Sequence, residues 1–185
     1  MLTLLVLACG PSKPQLTLSP PNPTTLNSLI AQVDTLDNGF DDDLPLEFLW
    51  LLEGEETDQS GGTLSPALTE RGQTWEVQVW AVDDGRAGRV ASDRTLIQNA
   101  PPLVAIAAAE EQSTDTPLSI LTTVTDPDGD ETSWTVTWLL DGQGTAFTDE
   151  VIDAEQTQAG QIWTAKVQAD DGQDESAGQV VIQIY

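Results

Sequence analysis

The sequence predicts an all-β protein made of two tandem β-sandwich domains, and three observations support that prediction. A set of apolar and turn residues returns after about 88 positions. Apolar and polar side chains alternate with the two-residue period of a strand in both copies. Asp-Gly and Gly-Gly turns recur at short spacing, and no long segment has the 3.6-residue period of a helix. Many short strands separated by such turns are typical of sandwiches.

The repeat divides the chain into two domains behind a short leader. Residues 1–14 are predicted to be leader and tether, 15–99 repeat 1, and 100–185 repeat 2, with the proline-bearing hinge Asn99–Pro102 at the boundary. Each repeat is long enough to enclose one small core. The matching segments are Trp50–Gly54 with Trp138–Gly142, Gly72–Trp75 with Gly160–Trp163, and Asp83–Gly85 with Asp170–Gly172.

Strand-period alternation is clearest where the two repeats match. The same positions are apolar in both copies, which indicates buried stripes rather than a chance pattern. Four tryptophans, Trp50, Trp75, Trp138 and Trp163, are therefore predicted to lie in the cores. The predicted strands are 15–18, 26–34, 45–52, 63–68, 73–82 and 89–97 in repeat 1, and 103–108, 117–125, 132–140, 145–152, 161–169 and 177–184 in repeat 2.

Composition narrows the possible functions. The chain has 31 acidic and 6 basic residues, giving a formal net charge of −25. Nucleic acid is an unsuitable partner for such a chain because phosphate binding needs clustered Lys and Arg, whereas divalent cations and basic partners would be attracted. Histidine, the usual general base, is absent, and carboxylate pairs such as Asp42 with Asp84 arise by chance in so acidic a sequence. We therefore predict that the protein is not an enzyme.

The N-terminal residues predict a lipid anchor. An apolar stretch from Leu2 to Ala8 runs into Cys9, the only cysteine of the chain, and its last residues are similar to a bacterial lipoprotein processing site. A cysteine that carries more than one acyl chain would hold the protein firmly on a membrane. The stretch is shorter than a usual signal peptide and lacks a basic beginning. Either the true start lies upstream of Met1, or the stretch is an incidental apolar terminus.

Repeat 2 resembles a known class of bacterial surface module. The run Asp126-Pro127-Asp128-Gly129-Asp130, followed by Trp138, by Gly160–Trp163 and by Asp170–Gly172, resembles bacterial surface repeats of the immunoglobulin-like class, with PKD and cadherin-like repeats nearest. The resemblance covers 102–185 well and 15–99 more loosely. It implies an immunoglobulin-like sandwich with an extracellular, non-catalytic role, frequently calcium-assisted and adhesive or spacing.

The acidic loops of repeat 2 are the candidate metal site. In an immunoglobulin-like strand order, the loop at 126–130 and the turn at 170–172 share one end of the sandwich, close to the incoming Asn99. Calcium takes about six to eight hard oxygens, which carboxylates and turn carbonyls supply. The alternative is that Asp and Gly stand there because tight turns favour them. The candidate Ca²⁺ ligands are Asp126, Asp128, Asp130 and Asp171, with Asp37, Asp41 and Asp83 as the candidates in repeat 1.

Repeat 1 has a candidate binding surface of its own. Trp80 falls on the outward face of its strand, where repeat 2 has Gln168, and together with Leu49 and Leu51 it would form an apolar patch. One extra residue before the Asp-Asp-Gly turn predicts a β-bulge, which could turn Trp80 inward instead. An exposed tryptophan could stack on a sugar or contact a protein.

These observations predict a non-catalytic bacterial cell-surface lipoprotein that acts as a spacer or adhesion element, with Ca²⁺ stiffening its acidic junction. It would lie in the cell envelope, outside the cytoplasm, and touch the membrane only through its lipid anchor. Its partner would be an extracellular protein or glycan. Two alternatives stand beside this prediction. One is a carbohydrate- or protein-binding module that uses the outer face of repeat 1, and the other is a salt-adapted spacer without a ligand.

Overall fold

A computed structural model describes residues 12–34, 44–109 and 112–185 of the chain. The chain forms two compact units, one ending at Gln98 and the other running from Asn99 to Tyr185. We call them unit 1 and unit 2. The regular structure described consists of short strands and two single-turn 3-10 helices, which confirms the predicted all-β class.

Unit 1 is a sandwich of two antiparallel sheets. One sheet has the order β1-β2-β5, and the other has the order β4-β3-β6, with β7 and β8 pairing in succession along the far edge of β6. The strands are β1 (Gln15–Ser19), β2 (Leu29–Asp34), β3 (Leu46–Leu52), β4 (Glu55–Glu56), β5 (Thr63–Leu64), β6 (Thr74–Asp83), β7 (Arg86–Ala87) and β8 (Ala91–Leu96).

Unit 2 repeats this arrangement with an unbroken last strand. Its sheets have the orders β13-β10-β9 and β12-β11-β14-β15. The strands are β9 (Leu103–Ala108), β10 (Leu118–Thr125), β11 (Ser133–Leu140), β12 (Gln143–Gly144), β13 (Val151–Ile152), β14 (Ile162–Asp170) and β15 (Glu175–Gln183). The three-plus-four strand division is that of immunoglobulin-like and fibronectin-type sandwiches.

The tryptophan cores are as predicted. Trp50, Trp75, Trp138 and Trp163 are all 3% exposed or less. In unit 2 the Trp138 and Trp163 rings pack edge to face, with centroids 6.1 Å apart and planes at 80°, a favourable aromatic geometry. The indole of Trp138 donates to the carbonyl of Asp149 at 2.8 Å, and the indole of Trp50 donates to the carbonyl of Gly61 at 2.9 Å. Each of these two rings is therefore buried with its N–H satisfied.

Two predicted strands are shorter than expected. The segment 63–68 is a strand only at Thr63–Leu64, because Pro66 lacks an N–H for a ladder and Ser65 caps a 3-10 turn over Pro66–Leu68. The segment 145–152 is a strand only at Val151–Ile152. There the N–H and hydroxyl of Thr145 both donate to the Trp138 carbonyl at 2.9 Å, so this backbone is held as a loop around the core.

Candidate functional site

The predicted acidic loop of unit 2 folds around Asp126. Its Oδ1 accepts the N–H of Asp128 at 2.8 Å and the N–H of Asp130 at 3.0 Å, while Gly129, at φ 81°, completes the turn. The loop thus has a local reason for its sequence, since an Asp side chain fixes the turn and Gly supplies the left-handed backbone. Within the described part of the chain, Asp126 Oδ2 is buried without a hydrogen-bond partner.

Asp171 organises the turn between β14 and β15. It is 9% exposed, and its Oδ1 accepts the N–H groups of Gln173 and Asp174, both at 2.7 Å. Its Oδ2 accepts from the Asn99 amide at 2.9 Å. The pKa of Asp171 is held below its ordinary value, first by the Asp174 N–H and then by the Asn99 amide, against the opposing effect of burial. Asn99 therefore lies where the sequence places it, beside the acidic turn.

The two loops meet at the first residues of unit 2. Asp128 Oδ2 accepts the N–H of Ala100 at 2.7 Å. The side-chain amide of Gln173 donates to Asp130 Oδ2 at 3.3 Å and to Asn99 Oδ1 at 3.4 Å. The structure thus brings the four predicted calcium ligands of repeat 2 into one hydrogen-bonded network. We call it the acidic network: Asp126, Asp128, Asp130 and Asp171 with Asn99, Ala100, Gln173 and Asp174.

The oxygens of this network have a poor fit to a calcium ion as they stand. Three of the four carboxylates, those of Asp126, Asp128 and Asp171, accept backbone N–H donors, which stabilise the ionised oxygens without a cation. The fourth, Asp130, accepts from the Gln173 side chain, and the second oxygen of Asp126, Oδ2, is buried without a donor. No group of three or more His, Cys, Asp or Glu side chains among the described residues is arranged to hold a metal ion. Calcium binding there stays a prediction and would require the loops to rearrange.

Unit 1 lacks an equivalent of the Asp171 turn. Asp83 pairs with Arg86, and Asp84 and Gly85 form the two-residue hairpin between them, with φ of 45° and 76°. Positive φ at both positions is the type I′ signature. In unit 2 four residues, 171–174, make the corresponding turn. The repeated Asp-Asp-Gly sequence therefore has two different conformations, and Asp83 is exposed. The other candidate ligands of repeat 1, Asp37 and Asp41, lie outside the described residues.

Acid should weaken unit 2 partly through Asp171. Because folding lowers the pKa of Asp171, the ionised carboxylate stabilises the folded unit, and this stabilisation is complete above the unfolded pKa of about 4. It is lost as the pH falls through the lower, folded pKa. We expect Asp171→Asn to lower the melting temperature at pH 7 and to lower it by less at pH 3. The exposed Asp115→Asn controls for the removal of one charge. Equal effects of Asp171→Asn at both pH values would contradict this prediction.

The candidate patch of unit 1 lies on the outward face of the β3–β6 sheet. Trp80 stands opposite Glu47, Leu49 opposite Gln78, and Leu51 opposite Glu76. The three apolar side chains are half-buried and share one face, and each stands opposite a polar residue of the paired strand. The patch is therefore mixed rather than continuously apolar. Its role in binding stays a prediction.

The extra residue of repeat 1 lengthens β6, which has 10 residues where β14 has 9. Pairing of β3 with β6 is continuous from Leu46↔Ala81 to Leu52↔Trp75. On its other edge, β6 pairs first with β7 and then with β8, and the two pairings differ in register by one residue. Residues 88–90, between β7 and β8, therefore lie opposite Trp80 and Ala81. The predicted bulge in the tryptophan strand is thus misplaced, because the irregularity falls between β7 and β8. As a result β6 stays regular and Trp80 keeps its outward position.

A further surface feature was not predicted. Trp134, on the same strand face as Trp138, is 47% exposed because it lies near the end of β11, beyond the packed core. It borders an open groove whose other wall is Thr148–Glu150. The two repeats differ in sequence at this groove. Asp149 and Glu150 occupy the positions that are Gly61 and Gly62 in repeat 1, since Asp149 and Gly61 accept equivalent tryptophan N–H groups.

Comparison with solved structures shows the same tandem sandwich fold. Chicken interferon gamma receptor alpha chain matches over 95% of this chain and 98% of its own, with a TM-score of 0.50 and 11% identity. A two-domain fibronectin type-III segment of chicken tenascin matches over 92% and 98%, with a TM-score of 0.40 and 13% identity. Three N-terminal domains of the highly immunogenic outer capsid protein of bacteriophage RB49 match over 93% of this chain, with a TM-score of 0.36 and 18% identity.

These matches concern the fold. This chain spans 59% of the length of the phage structure. At such identities the likeness shows the fold alone. No family model matches the chain, and no curated protein matches it. Among the described residues, no helix is long and apolar enough to cross a membrane.

Proposed function

We propose that the chain is a non-catalytic module of a bacterial cell-surface lipoprotein, serving as a spacer or adhesion element. The observation that carries this proposal is the tandem repetition of a complete sandwich, each unit closed around its own tryptophan core. Such units extend a chain away from its attachment point and present loops and strand edges, which suits spacing and adhesion. The net charge of −25 supports solubility and disfavours anionic surfaces.

The anchor of this proposal is Cys9, which lies outside the described residues. Its support is the sequence context alone, the apolar stretch from Leu2 to Ala8 directly before the only cysteine. Metabolic labelling with a palmitate analogue in a bacterial host, using the full upstream reading frame, tests the anchor. We expect label in the wild-type protein and none in Cys9→Ser. Labelling that is absent, or that persists in Cys9→Ser, would contradict the anchor.

Calcium stiffening is a separate part of the proposal. It is supported by the presence of four Asp residues in one hydrogen-bonded network and by the buried, unpartnered Asp126 Oδ2. It predicts heat on calcium titration and a raised melting temperature at millimolar calcium, both reduced by Asp126→Asn and unaffected by Asp115→Asn. The absence of heat and of a thermal shift at physiological ionic strength would contradict calcium binding. The network would then hold the two loops together by hydrogen bonds alone.

A second candidate function uses the mixed patch of Leu49, Leu51 and Trp80 to bind a glycan or a protein. The observation in its favour is that all three side chains share one sheet face and remain half-exposed to solvent. Glycan-array binding that disappears in Trp80→Ala, with an unchanged melting temperature, would favour this function over a spacer. A spacer without a ligand would give no signal on the array. Its melting temperature would rise with monovalent salt in general.

A further inference from the structure

Unit 2 has an open strand edge on β11. Its sheet order is β12-β11-β14-β15, and β12 pairs with β11 only at Leu139 and Leu140. On the side of β11 away from β14, the carbonyl of Trp138 accepts the N–H of Thr145. Because every second residue of a strand directs its backbone groups to the same side, the N–H and C=O of Val136 and Trp134 also point away from β14. Among the described strands, none pairs with β11 along 133–138 on this side. The edge therefore presents backbone hydrogen-bonding groups to an incoming strand.

The groove beside this edge is shaped by fixed backbone. It has a volume of about 560 Å³ and is lined by residues 134–137 on the strand side and 148–150 on the other. The Asp149 carbonyl is held by the buried Trp138 indole at 2.8 Å, and the Glu150 carbonyl accepts the N–H of Ile120 at 3.1 Å. The wall at 148–150 is thus attached to the core, and the strand wall is held by the pairing of β11 with β14. Such a preformed groove costs little ordering when a ligand binds.

Unit 1 has different residues at the positions that line this groove. Its residues at the matching positions are Leu46, Phe48, Gly61 and Gly62, in place of Trp134, Val136, Asp149 and Glu150. The Phe48 ring lies over Gly62, 3.5 Å from where a Cβ would stand. Unit 2 has the smaller Val136 where unit 1 has this ring, and it adds a half-exposed tryptophan and two carboxylates. Among the described residues, the matching positions of unit 1 therefore lack the tryptophan and the two carboxylates that line this groove.

We propose that this groove binds an extended peptide segment carrying lysine or arginine, which adds as a strand to the free edge of β11. The backbone of Trp134 and Val136 would supply the strand hydrogen bonds. Asp149 and Glu150 would face the basic side chains, and the Trp134 ring offers a face for a cation. A sugar could use the ring and the carboxylates but would leave the strand edge unused, so the three features together favour a peptide.

The test uses the full chain and a capped seven-residue peptide of alternating threonine and arginine. We expect the Trp134 indole and the amides of β11 to shift in nuclear magnetic resonance spectra at low salt, with weaker binding as salt rises. The double variant Asp149→Asn/Glu150→Gln should reduce affinity roughly three- to tenfold, and Trp134→Ala should reduce it as well. Tyr185→Ala removes another exposed aromatic ring of unit 2, outside the groove, and should leave the affinity unchanged.

Three results would overturn the proposal. One is the absence of β11 shifts with the arginine peptide. Another is equal binding of the same peptide with every backbone amide methylated, which has no backbone N–H to donate to the strand edge. The third is shifts at Trp134 with cellotetraose or chitotetraose but not with the peptide, which would make the groove a glycan site. Circular dichroism of each variant separates a lost contact from a lost fold.

Discussion

Replacing Trp138 with alanine is expected to lower the free energy of unfolding of unit 2 by about 3–5 kcal/mol. The ring is 1% exposed, packs edge to face on Trp163, and leaves the Asp149 carbonyl without its donor when removed. A small domain has a total stability of only about 5–15 kcal/mol, so this variant should be close to unfolding at room temperature. Urea denaturation followed by near-ultraviolet circular dichroism measures the loss.

Trp134→Ala is the matched control because Trp134 lies on the same strand face but is 47% exposed. We expect its cost to be below about 1 kcal/mol. Trp138→Phe should fall between the two, since it keeps an aromatic ring and loses the hydrogen bond. Similar losses for Trp138→Ala and Trp134→Ala would show that the ring of Trp138 is not the centre of the core.

Gly178→Val is expected to destabilise unit 2 by about 1–3 kcal/mol through overpacking. Gly178 lies in β15, and a Cβ there would stand 2.9 Å from Val104 Cγ1 and 3.2 Å from Ile106 Cγ2 of β9. Val104 and Ile106 are β-branched and stiff at χ1, so they cannot move aside freely. Thermal unfolding followed by calorimetry checks the loss.

Gly144→Ala provides the control for that substitution. Gly144 lies in the short strand β12, has no neighbouring atom within 4 Å of the position that a Cβ would take, and does not have a positive φ. Its replacement should be neutral or stabilise by up to about 1 kcal/mol, through the reduced freedom of the unfolded chain. A loss at Gly144 equal to that at Gly178 would show that glycine replacement as such, rather than the approach of β9, determines the result.

The sequence was most informative where the two repeats agree. The tryptophans at equivalent positions identified both cores, because a buried stripe must satisfy the same packing in each copy. Strand ends were predicted less well, since Pro66 and the loop held by Thr145 depend on hydrogen bonds that periodicity does not report. The repeated Asp-Asp-Gly motif was misleading for a similar reason, because strand register gives a two-residue turn at Asp84 and a four-residue turn at Asp171.

The candidate site was predictable in part. Clustered Asp residues and the hinge Asn99 indicated one end of unit 2, and the structure brings them together. What the sequence could not reveal is that N–H donors already occupy most of those oxygens. Nor could alternation predict that Trp134 is half-exposed, since an inward-facing position at the end of a strand extends beyond the core. The replacement of Gly61-Gly62 in repeat 1 by Asp149-Glu150 in repeat 2 is the sequence difference that marks the position of the groove.

The display of the chain outside the cell is the central claim, and its two lysines allow a direct measurement. Lys13 and Lys166 are the only lysines of the chain, and Lys166 is exposed on β14 of unit 2. Intact bacteria expressing the full reading frame are treated with a membrane-impermeant amine-reactive biotin, and the labelled peptides are identified by mass spectrometry. Display outside the cell predicts biotin on Lys166 without lysis and none at that position in Lys166→Arg. Labelling of Lys166 that appears only after the cells are broken open would contradict it.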